Sequence, residues 1–227
     1  MAEAMDTGAR IMAILDEIGA RDVLDIGCGS GALSRVLVGA GYRVTGLDPD
    51  ADAIAIARDS VPEASFQTAG AEALPFDSAT FDACVFLNAL HHVPVARMQT
   101  ALREGLRVLR PSGEVIVVEP LAEGPFFEVM RPVEDETEIR HAAIDAINAI
   151  LDAGAAAGPV PVTYPRPTPM ADTDAFIDRL ARIDPARRAV AEAQRDRIER
   201  LFAQHATDGP GGRGLVQPLR LWRLRPA

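Results

Sequence analysis

VLDIGCGSG, Val23–Gly31, holds one acid, Asp25, among apolar neighbours and then places glycine at 27, 29 and 31. Val23 to Ile26 reads as a short strand and Leu33 to Gly39 as a helix, so the glycines fall in a strand-to-helix connection. Alternating glycines let the backbone turn sharply and let a ligand approach without meeting a Cβ, while the helix behind them points free N–H groups at it. The alternative, a tight connection with no ligand, has less need of three bare positions in five residues.

On either side the chain keeps the same rhythm. Residues 2 to 19 carry Ile11, Ile14, Leu15 and Ile18 at helical spacing and end at Gly19, an opening amphipathic helix. Tyr42 to Leu47 is a second strand, Ala51 to Arg58 a helix opened by the acid-rich LDPD, and Phe66 to Thr68 a third strand. Phe81 to Leu87 is almost wholly apolar, Val95 to Leu109 is a helix, and Arg110 to Gly113 is a turn before the strand Glu114 to Glu119. Strict alternation with central strands apolar on both faces predicts an α/β, doubly wound parallel sheet. After Glu119 the rhythm is lost. Glu136 to Ala157 reads as a helix, Val160 to Tyr164 as a sixth strand, and PRPTPM, with three prolines in six residues, as a loop. Helices follow over Thr173 to Arg182 and Pro185 to His205, then GPGGRG as a hinge or turn. The last strand, Gly214 to Leu224, carries the sole Trp222, and Pro218 demotes part of it to an edge or bulge position.

The totals narrow the function. A chain of 227 residues, 48% hydrophobic and 25% charged, without repeats or low-complexity blocks, predicts one globular domain. No apolar run reaches the roughly 20 residues needed to cross a bilayer, and the opening stretch carries acids where a signal peptide needs bases, so a cytoplasmic protein is expected. Cys28 and Cys84 lack the spacing of a disulfide framework or a zinc site. A net charge of −10 argues against nucleic-acid and anionic-membrane partners, leaving a small molecule as the expected substrate.

Gly27, Gly29 and Ala32 also fit the dinucleotide pattern G-x-G-x-x-A, with Asp48 placed to hold a ribose. Asp25 argues against that ligand, because a carboxylate beside the loop repels a pyrophosphate and favours an ammonium or sulfonium. S-adenosylmethionine carries both. VLDIGCGSG, VTGLDPD, AEALPFDSATFDACVFLNALHHV and LRPSGEVIVVEP, in that order between about Arg21 and Pro120, resemble the class I methyltransferases. The resemblance is to the small-molecule branch that includes ubiquinone and menaquinone biosynthesis enzymes. It implies a Rossmann-like fold of seven strands, mostly parallel with the last antiparallel, in a single domain 1–227. Residues 20–120 would form the cofactor core, 121–213 helical lid and substrate-side elements, and 214–227 the last strand.

The resemblance also implies roles. Asp25 and the backbone of Gly27, Cys28, Gly29 and Gly31 would hold the methionine portion, and Asp48 the ribose hydroxyls. Pro49 would lie against adenine, the Ala71 and Glu72 backbone would meet its edge, and Asn88 would touch the methionine amino group. One position departs from the pattern: Gly70 stands where much of the family has an Asp that accepts from the adenine amino group. Asp48 has a second reading, as a turn acid capping the helix at Ala51.

Methyl transfer from a sulfonium needs alignment and exclusion of water more than a dedicated catalytic group. Where the acceptor must lose a proton, His91 and His92 are placed to take it, His92 the better of the two, against a purely packing role for both. Glu119 and the segment Arg131, Glu134, Asp135, Glu136, Glu138, Arg140, His141 fall where substrate recognition is expected. A solvated helix start with an ordinary Glu136–Arg140 pair is the stronger reading, and no metal set is formed. Phe126, Phe127, Met130 and Tyr164 read equally as pocket wall or core. The expectation is a methyltransferase using S-adenosylmethionine, with S-adenosylhomocysteine as product, acting on a small molecule through an O, N or C nucleophile. The alternatives are an NAD-dependent oxidoreductase, disfavoured by Asp25 and by a chain without lysine, and a catalytically silent S-adenosylmethionine-binding protein. The oligomeric state stays open, homodimer included.

Overall fold

The computed structural model describes residues 6–209 and 212–227. In chain order the elements are α1 (Thr7–Glu17), β1 (Asp22–Ile26), α2 (Ala32–Gly39), β2 (Arg43–Asp48), α3 (Ala51–Ser60), β3 (Ser65–Thr68) and β4 (Phe81–Leu87). Two 3-10 turns, Leu90–His92 and Val95–Arg97, lead into α4 (Met98–Arg107), followed by β5 (Leu109–Pro120), α5 (Pro125–Met130), α6 (Thr137–Asp152), β6 (Ala156–Ala157) and β7 (Val162–Pro169). The chain closes with α7 (Thr173–Ile183), α8 (Ala186–Ala193), α9 (Arg195–His205), β8 (Thr207–Gly209) and β9 (Gly212–Pro226).

This is the expected α/β, doubly wound class. β1 pairs in parallel with β2 and β4, β2 with β3, and β4 with β5. The order is β3-β2-β1-β4-β5-β9-β6, so direction of growth reverses between β1 and β4, where open sheets of this kind take their ligand. β1, β4 and β5 are central and give Leu24, Ile26, Cys84, Phe86, Val115 and Val117 to the main apolar core. Among the described residues the sheet has nine strands, since β7 and β8 also pair with the long β9; β6 and β8 run antiparallel to it.

Several expectations change in detail: the sheet of the described residues has nine strands where seven were expected, and Pro185–His205 divides into α8 and α9. PRPTPM is a strand: Pro165, Pro167 and Pro169 occupy alternate positions of β7, so every missing N–H lies on one edge and the other edge can pair with β9. The buried positions Tyr164 and Thr168 keep the same period. Arg110 to Gly113 belongs to β5, which opposes β4 with a register shift near Phe81 and Ala83; a Cβ on Gly113 would lie 2.7 Å from the Asp82 carbonyl oxygen. β9 runs unbroken through Pro218, so the proline does not end the strand. Residues 2–5 of the expected opening helix, and Pro210 and Gly211 of GPGGRG, lie outside the described residues.

The chain divides into two compact units. The first comprises Met1–Glu119, Ala142–Val162 and Arg220–Ala227, with a core built on Leu24, Phe86, Leu102, Val117, Ile147 and Trp222. The second comprises Pro120–His141 and Thr163–Leu219, with Phe127, Phe176, Ile177, Leu180 and Ile198 inside it.

Candidate functional site

The glycine loop leaves the carboxyl end of the central strand β1. Gly27, Gly29 and Gly31 have φ of 72°, 52° and 82°, a region that suits glycine. Gly27 is bare for a second reason, since a Cβ there would come within 2.5 Å of the Ala89 Cβ. The Gly27 and Cys28 amides both donate to the Leu47 carbonyl, at 2.7 and 3.1 Å, which ties the loop to the end of β2. Helix α2 starts at Gly31 without a side-chain cap. Its first turn is instead met by Asp25, whose carboxylate is 1% exposed and accepts from the Ser34 hydroxyl at 2.7 Å. Burial is the main cause that pushes the Asp25 carboxyl up to about 6; the bonds from Ser34 oppose it and Asp48 adds to it. Burial, with Asp25 and Asp48 nearby, also drives the Cys28 thiol upward, so it is an inert packing residue and its backbone faces the loop. Ser34 escaped the sequence reading; its one signal is a hydroxyl in the first turn after the glycines.

Asp48 ends β2. One carboxylate oxygen accepts from the Gly29 amide and the other from the Asp50 amide, both at 2.9 Å. The capping of α3 falls to Asp50, which accepts from the Asp52 and Ala53 amides, so Asp48 is not the helix cap. A carboxylate has about four acceptor sites, so Asp48 keeps capacity for hydroxyl donors while it holds the loop. Pro49 is exposed beside it. The Ala69 amide donates to the Asp48 carbonyl at 3.1 Å, which brings the segment after β3 alongside. That segment is pinned: the Leu74 amide donates to Glu104, and Arg107 donates to the carbonyls of Leu74 and Phe76. Ala71 is buried, Glu72 half-buried.

Asn88 follows β4 with φ 52°, its amide bonded to the Val118 carbonyl at 2.8 Å. Its side-chain Oδ1 is buried and accepts from no described residue. A buried acceptor without a donor is costly, and such an atom at a strand's carboxyl end points to a ligand donor. The two histidines separate. His91 is enclosed, its Nδ1 against Glu119 Oε2, whereas His92 is exposed with its ring centroid 4.1 Å from that of His91. Glu119 Oε1 accepts from the Ala89 and Leu90 amides at 3.1 and 2.8 Å. Glu119 therefore holds the turn after β4, an inward role where the sequence suggested substrate recognition.

In the second unit Glu136 and Arg140 form a buried pair at 2.7 Å, contrary to the solvated pair expected from their spacing. Arg140 also donates to the Leu121 carbonyl at 2.9 Å and lies 4.9 Å over the Phe127 ring, so the pair is enclosed by its own unit. Phe126, Phe127 and Met130 belong to the apolar cluster of that unit. Among the described residues no group of three or more His, Cys, Asp or Glu side chains could hold a metal ion, and no helix is long and apolar enough to cross a membrane.

Comparison with known proteins converges on the same segment. The family described as methyltransferase domain matches residues 24–117. A malonyl-[acyl-carrier protein] O-methyltransferase of Pectobacterium atrosepticum is 32% identical over 147 residues, 62% of this chain and 57% of that protein. A demethylmenaquinone methyltransferase of Renibacterium salmoninarum is 33% identical over 109 residues, 47% of this chain and 45% of that protein. The chain thus spans about half the length of the curated relatives it matches. The solved structure of the YcgJ protein of Bacillus subtilis shares the fold at a TM-score of 0.65 and 19% identity, covering 96% of this chain and 98% of that one. The segment that matches the methyltransferase domain carries the glycine loop, Asp25, Asp48 and Asn88 on strands in the order found here.

Proposed function

We propose that this protein transfers a methyl group from S-adenosylmethionine to a small-molecule acceptor. The observation that carries the reading is the orphaned, buried Asn88 Oδ1 at the switch point of the sheet, next in order to the strand that bears Asp25. An ammonium is the donor that suits both: it satisfies Asn88 and compensates the desolvated carboxylate of Asp25. The start of α2, which has no side-chain cap, suits the methionine carboxylate, and the Gly27, Cys28, Gly29 and Gly31 backbone, its amides bonded to Leu47, Asp48 and Cys28, shapes the approach to it. Asp48 takes the ribose hydroxyls, Pro49 lies against the adenine, and the backbone of Ala71 and Glu72 borders it.

When bound, the group supplies a methyl carbon on a sulfonium, whose thioether leaves without a proton. The protein's part is to fix the donor, exclude water and hold the acceptor in line. His92, exposed at the turn after β4, is the side chain we assign to accept a proton from the acceptor, and His91, locked by Glu119, orients that turn. Residues 20–120 serve as the cofactor core and 121–213 as the substrate-facing part. The charge of −10 supports a small molecule over nucleic acid.

Thermal unfolding tests the reading. S-adenosylhomocysteine is expected to raise the midpoint and NAD to leave it unchanged, because only a ligand of the native state stabilises. Asn88→Gly, which keeps the left-handed backbone and removes the orphan acceptor, is expected to weaken S-adenosylhomocysteine binding about tenfold by calorimetry. Stabilisation by NAD alone would refute the donor. Labelled methyl transfer into a metabolite extract separates an active enzyme from a silent binding protein.

A further inference from the structure

Gly70 leaves a gap that another residue fills. A Cβ built on Gly70 would lie 2.6 Å from Oε2 and 3.0 Å from Oε1 of Glu72, so the Glu72 carboxylate is folded over the bare Cα and stands where a side chain at 70 would stand. That carboxylate is half-buried, and no described residue donates to it. Nor is the carboxylate on a loose loop. The Ala69 amide is held by the Asp48 carbonyl, and Leu74 and Phe76 by Glu104 and Arg107, so residues 70–73 are clamped at both ends.

Position supplies the ligand chemistry. A ribose held by Asp48 carries its base toward the segment bonded to the Asp48 backbone, which is Ala69 and the residues after it. An acceptor-only group there suits a base edge that donates. We infer that the Glu72 carboxylate accepts from the exocyclic amino group of adenine and so determines the purine specificity of the site. The inference rests on the cofactor reading above, and goes beyond it by moving the acceptor from position 70 to position 72. It also accounts for Gly70: any side chain there would displace the carboxylate.

The test compares calorimetric binding of S-adenosylhomocysteine with that of its analogue bearing hydrogen in place of the adenine amino group. For the wild-type protein, a preference for the amino compound of about 10- to 100-fold is expected, the range of a hydrogen bond to a charged group. Glu72→Ala should bring that ratio close to one while leaving the apo thermal midpoint unchanged. Adding Gly70→Asp to Glu72→Ala, which returns a carboxylate through the space now vacant, should restore most of the preference. An undiminished ratio in Glu72→Ala overturns the inference and leaves the cofactor reading standing. Failure of the wild-type protein to bind either compound overturns both.

Discussion

Asp25 shows how one residue's environment carries information that its motif does not. In the native protein burial raises its carboxyl from an ordinary 3.8 to about 6. The neutral form is the one the apo fold prefers, so its contribution to stability is complete below pH 3.8 and is lost as the pH rises through about 6. Between those limits apo wild type is expected to lose up to about 3 kcal/mol relative to Asp25→Asn in denaturant unfolding. Binding follows the opposite course: affinity for S-adenosylhomocysteine should climb from pH 5 to 7 as Asp25 ionises, and stay flat in Asp25→Asn. A wild-type profile as flat as the variant's would remove Asp25 from the ammonium site. Asp25, Asp48 and Asn88 were legible as motif positions because each stands at a strand's end. Ser34 and Glu119 were not, since what they touch lies 9 and 28 to 30 residues away along the chain.

At the scale of elements, the loop between β1 and α2 needs its glycines for different reasons. Gly27→Ala meets both a positive φ and the Ala89 Cβ, whereas Gly29→Ala meets the φ alone, with nothing within 4 Å. The expected losses, by urea unfolding, are about 1 kcal/mol for Gly29→Ala and about 2–4 kcal/mol for Gly27→Ala, with the helix α2 start displaced only in the latter. Equal losses would mean that Ala89 yields freely. The pattern of strands and helices through β5 could be read directly because hydrophobic period and glycine punctuation agree there. It failed at PRPTPM, where proline count argued for a loop and proline phase allowed a strand. It failed also at Pro125–Met130, six residues too short to show a period, whose helix begins at a proline after Gly124 with φ 90°.

For the whole molecule, the second unit depends on a charge that sequence spacing placed at the surface. Glu136 is shared between Arg140 and, at 3.5 Å, Arg187, so Glu136→Gln, which leaves Arg140 buried without its carboxylate, should cost about 3–5 kcal/mol in urea unfolding, and Arg140→Met, which leaves Glu136 to Arg187, should cost less. The double change Glu136→Leu with Arg140→Met should cost much less. The Leu121 carbonyl would not be orphaned, because Gln217 Nε2 also donates to it at 2.9 Å. Additive losses in the double variant would show that the pair is not a unit.

Local pattern was enough for the α/β class, the glycine loop and the two acids beside it, since each depends on residues close in sequence and on strand alternation. Burial was decided only by the assembled fold. It turned Glu136 and Arg140 inward, sent His91 to Glu119 while His92 stayed exposed, left Asn88 Oδ1 without a donor, and laid the Glu72 carboxylate over Gly70. These outcomes depend on which distant segments exclude water from a side chain, and periodicity along the chain does not encode that.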